Sequence, residues 1–121
     1  MQPKTMMIDN VKYVREDSID RLAMNTDGLK FVVTRSVNAG VHVGYLSSVD
    51  GKEVTLFNSI RIWYWKGAAS LSQLAVDGVN KADECKFAVP VSEIFLSDVC
   101  EVIYCTDKAM KSLQGVKAWE Q

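Results

Sequence analysis

Arg61, Trp63 and Trp65 are the residues of this chain whose types and spacing most readily do chemistry. They recur at every second position of Arg-Ile-Trp-Tyr-Trp, so an extended strand sends all three to one side and Ile60, Ile62 and Tyr64 to the other. Flat indoles stack on heterocyclic bases, and a guanidinium beside them is costly to bury unless it meets an anion or carboxylate. Immediately downstream, Lys66, Gly67 and a helix start at Ser70 bring a cation and open backbone amides to one spot, which favours phosphate. Ser70 with Gln73 three residues on is the capping-box pattern, and Gly78 suits the helix stop. Asn38, His42, Asn58 and Gln73 are further donors for base edges or ribose hydroxyls. The same aromatics would serve equally well as the core of a sheet, and a Ser70 cap is sufficient as a helix start alone.

Turnover has little support in the residues. His42 is the single histidine, no second histidine or suitably placed cysteine accompanies it, and no Gly-x-Ser-x-Gly elbow surrounds a serine. Walker and Gly-x-Gly-x-x-Gly loops are absent, and the acidic residues are scattered rather than spaced for a cation. No catalytic residue, metal ligand or cofactor is assigned. Cys85, Cys100 and Cys105 lie in apolar stretches at non-zinc spacings, which predicts reduced, buried, structural thiols.

Positioning those residues needs a sheet. Strands are predicted over 29–37, 41–47, 52–57 and 59–65, joined by Asn38-Ala39-Gly40 and by an Asp50-Gly51 hairpin turn, so that four strands form a meander. Shorter strands follow over 85–89, 94–96 and 99–105, and Thr106 caps a second helix over 107–113 that stops at Gly115. Upstream, 6–8 and 11–14 read as a small ribbon and 15–24 as a short helix, with Asn25-Thr26-Asp27-Gly28 a turn. Trp119 should dock on the sheet or on another subunit. The class is α+β: one small ligand-binding domain over 1–121, a largely antiparallel meander with two short helices.

The 121 residues carry 14 Lys+Arg and 15 Asp+Glu, a formal charge of -1, which offers no broad basic field for long DNA or RNA. No apolar run is long enough for a membrane span and no secretory leader is apparent, so a cytoplasmic protein is expected.

Residues 61–75, Arg-Ile-Trp-Tyr-Trp-Lys-Gly-Ala-Ala-Ser-Leu-Ser-Gln-Leu-Ala, together with Val-Lys-Tyr-Val-Arg at 11–15, Ala-Gly-Val-His-Val-Gly-Tyr-Leu at 39–46, Glu-Cys-Lys-Phe at 84–87 and Lys-Ala-Trp at 117–119, resemble the first Thoeris anti-defence family of bacteriophages. The resemblance implies a sponge that sequesters glycocyclic ADP-ribose, a cyclic ADP-ribose isomer made by a bacterial TIR-domain enzyme, without cleaving it. It further implies action in the host bacterial cytoplasm and homo-oligomers: dimers with pockets at the interface, in some members a trimer of dimers that also takes cyclic oligonucleotides. Carried onto this chain, Arg61 would pair with pyrophosphate, Trp63 or Trp65 would stack on adenine, and the Ser70 helix start would supply amides. The turn from Asn38 to His42 would close the pocket. A phage inhibitor that contacts a host enzyme directly through its aromatic surface, or a phosphodiesterase-like enzyme, would be the alternatives.

Overall fold

The computed structural model describes residues 22–119. Its strands are β1 (Phe31–Ser36), β2 (Gly40–Asp50), β3 (Glu53–Tyr64), β4 (Lys86–Phe87), β5 (Val91–Leu96) and β6 (Val99–Tyr104), with helices α1 (Leu71–Asp77) and α2 (Asp107–Gln114). They form an α+β domain whose antiparallel sheet runs β4-β3-β2-β1-β6, with β5 also paired to β3. The expected ribbon and most of the expected helix at 15–24 lie outside the described residues. Leu22 and Met24 themselves make isolated bridges to Thr106 and Lys30, not helical turns.

Three strands, not four, make the meander. The predicted strands over 52–57 and 59–65 are one element, β3, interrupted at Asn58, whose φ of 51° places it in a bulge. An asparagine tolerates that left-handed conformation better than most residues, so a turn-like residue here bends a strand without ending it. The hairpin turn is also shifted by one: Asp50 pairs with Glu53, and Gly51 with Lys52 forms its two-residue tip. Only Gly51 needs positive φ (62°), as in a type II′ turn.

The sheet curls back on itself. β5 lies along the outer edge of β3 and β6 along the outer edge of β1, yet only Ser97 and Asp98 separate them. The Val37 N–H donates to the Asp98 carbonyl at 3.2 Å, and the Val99 N–H donates to the Lys52 carbonyl at 3.0 Å. One tight turn thus touches both ends of β2, an element that would span roughly 35 Å if straight. A partly open barrel results.

Two apolar clusters follow from that curl. Phe31, Val33, Val43, Ile60 and Ile62 face outward beneath the helices, packed with Leu74, Ala75, Ala109 and Leu113. Val32, Val54, Leu56, Leu96 and Val99 fill the barrel interior. Both helix caps form as the sequence predicts: Ser70 Oγ accepts from the Gln73 N–H at 3.1 Å and Thr106 Oγ1 from the Ala109 N–H at 3.0 Å. Ala69 is exposed, so the expected apolar staple onto Leu74 does not close. Cys85 and Cys105 are buried free thiols, and burial pushes Cys105 up to about 12. Cys100 departs from expectation: it is exposed, its sulfur 3.2 Å from the Arg35 carbonyl.

Thr106 also donates to the Val76 carbonyl at 2.6 Å, tying α2 to the end of α1. Thr106→Val keeps the volume and deletes both bonds, and is expected to lower stability by about 2 kcal/mol in urea unfolding.

Candidate functional site

His42 and Arg61 face each other across β2 and β3 inside the barrel, because Val41 and Val43 on one strand and Ile60 and Ile62 on the other take the opposite face. The Arg61 Nε–H donates to His42 Nε2 at 3.1 Å, and the guanidinium carbon sits 5.5 Å from the Trp63 ring centre. A guanidinium only donates, so Nε2 must be an acceptor and His42 is neutral, carrying its proton on Nδ1. Burial first, and the adjacent Arg61 charge second, push its pKa down to about 4. Thr34, also fully buried, donates its hydroxyl to the His42 carbonyl at 3.3 Å.

Exposure grades along this row. His42 is 1% exposed, Arg61 is half-buried and Trp63 is 60% exposed, so the three run from the interior outward. Beside them, His42 Nδ1, Ser59 Oγ and Ser36 Oγ are buried without a hydrogen-bond partner among the described residues. Nor does Arg61 meet a carboxylate among those residues. The result is a cation stacked under an exposed indole, with buried polar groups behind it. Such an arrangement can receive an anion carrying a flat ring.

The remaining predicted site residues do not join this group. A second bulge in β3, between Ile62 and Tyr64, changes the side-chain parity, and Trp65 packs with the outer core cluster instead of beside Trp63. Lys66 pairs with Glu84 at 3.3 Å, and that hydrogen bond raises its pKa. Its backbone N–H donates to Cys85 Sγ at 3.4 Å. Gly67 has φ 95°, and a Cβ there would lie 2.8 Å from the Asn80 backbone nitrogen. The glycine therefore admits a close-packed loop, where a phosphate cradle was expected. The Gln73 side chain accepts from the Ala69 N–H at 2.7 Å, one residue before the Ser70 cap, and the seven-residue α1 adds no separate anion site. Asn38 donates through backbone and side chain to Asp98 Oδ2, at 2.9 and 2.8 Å, and Asn58 is the exposed bulge. Of ten candidates, His42, Arg61 and Trp63 come together.

Thr34, Ser36 and Ser59 were missed as neighbours of this group. For Thr34 and Ser36 the signal was alternation with Val32 along β1, on a face that the curl turns inward; Ser59 joins the side of Leu56 only through the bulge at Asn58, which alternation does not show. Among the described residues no cluster of three or more His, Cys, Asp or Glu could hold a metal ion, and no helix is long and apolar enough to cross a membrane.

Fold and site together define a small curled-sheet α+β domain with an arginine and an aromatic ring at its rim. The chain belongs to the family described as a domain of unknown function, DUF6948, whose model matches residues 29–113. That span runs from just before β1 into α2 and includes all ten candidate residues. No curated protein matches, and no solved structure matches.

The neutral His42 has a consequence for stability. Its pKa is lowered from 6.5 in the unfolded chain, so acid favours unfolding while the folded state resists the proton. Stability should fall by about 2 kcal/mol between pH 7 and pH 5 and level off below about 4. Urea unfolding of the wild-type chain and of His42→Gln, which removes the only histidine, should show that loss in the first and not in the second.

Proposed function

We propose that this protein is a binding protein that sequesters a small cyclic nucleotide signal of the glycocyclic ADP-ribose type and returns it uncleaved. The observation that carries the reading is the Arg61 guanidinium, fixed by His42 and stacked on an exposed Trp63, with no carboxylate partner among the described residues. Arg61 pairs with the pyrophosphate and Trp63 stacks on the adenine. The resemblance of residues 61–75 to the first Thoeris anti-defence family supports the choice of ligand. On that reading the protein acts in the host bacterial cytoplasm as a homo-oligomer, a dimer or a trimer of dimers, and cyclic oligonucleotides are a second ligand class.

A sponge acts once per site, so against a micromolar signal it needs about 10 kcal/mol or more of binding free energy. Two residues held in place before the ligand arrives lower the ordering cost of reaching that affinity.

A second reading, inhibition of a host enzyme by direct contact, is supported by the aromatic side chains left at the surface, Trp63, Tyr64, Phe95, Tyr104 and Trp119.

Titration calorimetry with glycocyclic ADP-ribose separates the two. The sponge reading expects saturable binding, release of intact ligand on heating, and at least a hundredfold weaker binding by Arg61→Ala with unchanged circular dichroism. Degraded ligand would indicate an enzyme. No binding would leave the contact inhibitor as the better reading.

A further inference from the structure

A concavity away from the Arg61 row lies where the chain after α2 meets the turn before β4. Ala82, Asp83, Cys85, Lys117, Ala118 and Trp119 line a groove of about 440 Å³, within the size range of small-molecule sites. Its two walls come from distant parts of the chain. One is the 3-10 turn Ala82–Glu84, and the other is the stretch after α2, where Ala118 bridges Phe87 of β4 in parallel and the Trp119 N–H donates to the Phe87 carbonyl at 2.7 Å.

Trp119 is 43% exposed although its backbone is pinned to the sheet. The Lys86 ammonium lies 5.2 Å from its ring centre and covers one face, while Trp119 lines the groove and Lys86 does not. Ala82 and Ala118 are too small to fill the space beside it. A groove lined by a tryptophan and two alanines suits a planar ring.

The polar groups narrow the choice of ring. Asp83 only accepts hydrogen bonds at neutral pH and Lys117 only donates, and neither forms an ion pair among the described residues. A carboxylate matches two adjacent N–H donors on one ring edge, and the ammonium matches a carbonyl or phosphate oxygen. Guanine carries that edge, with its ring N–H next to its amino group and a carbonyl alongside. Adenine presents an acceptor nitrogen where the carboxylate would need a donor.

We propose that this groove is a guanine-type nucleotide site: Trp119 stacks on the base, Asp83 accepts from the paired N–H groups and Lys117 donates to oxygen. The site is separate from the Arg61 row and does not depend on what that row binds. Calorimetry of the full chain with GMP and AMP tests it. GMP should saturate below about 1 mM, AMP should bind at least tenfold more weakly, and Asp83→Asn and Trp119→Leu should each weaken GMP at least tenfold. Trp119→Leu keeps the backbone bond to Phe87, so far-ultraviolet circular dichroism should be unchanged. Arg61→Ala should bind GMP as the wild-type chain does. Absence of GMP binding up to about 2 mM, equal affinity for AMP, or loss of GMP binding in Arg61→Ala with retention in Asp83→Asn would each overturn the proposal.

Discussion

The turn at Ser97 and Asp98 is the constraint on which the rest depends. By accepting from Val37 through Asp98 and reaching Lys52 through Val99, it brings the start and the end of β2 to one place. Asn38 reinforces the first contact with two further bonds to the Asp98 carboxylate. A sheet held at both ends of its central strand has to coil, and coiling turns one face into an interior. Val32, Leu56 and Leu96 then bury against one another with no helix over them.

Coiling also explains why a histidine, a threonine and two serines are buried on a strand face that would otherwise be open to water. Where β3 bulges at Asn58, its inward side passes from Leu56 to Ser59 and Arg61, and the interior changes from apolar to polar. The second bulge, past Ile62, sends Trp65 to the helical layer and leaves Trp63 with Arg61. Two local dislocations of one strand thus decide which aromatic becomes core and which stays at the surface. Binding groups are sorted here by register more than by residue type.

Much of the fold could be read from the sequence because local signals and tertiary demands agree there. The caps at Ser70 and Thr106, the turn at Asn25 to Gly28, the stop at Gly78 and the alternation through β1 and β2 all reappear. The site was less legible. Strict alternation predicted that Arg61, Trp63 and Trp65 share a face, and a bulge, which no periodicity reveals, separates them. Lys66, Gly67 and Asn38 looked like free ligand groups because their partners, Glu84, Asn80 and Asp98, sit 13 to 60 residues away in the chain. Spacing along a chain cannot show which polar groups are already spoken for.

The pairing of β1 with β6 carries a consequence for biosynthesis. Val32 lies opposite Tyr104 and Arg35 opposite Glu101, so the β1 edge that β6 covers waits for its partner strand until almost the whole domain has left the ribosome. The β1–β2–β3 meander can form early from adjacent segments, but its seam closes last, over a loop of roughly seventy residues whose closure entropy must be met all at once. A nascent chain halted after α1 would therefore lack the strand that closes the β1 edge, and swapping of the β5–β6 segment between two such chains is the natural misassembly of this topology.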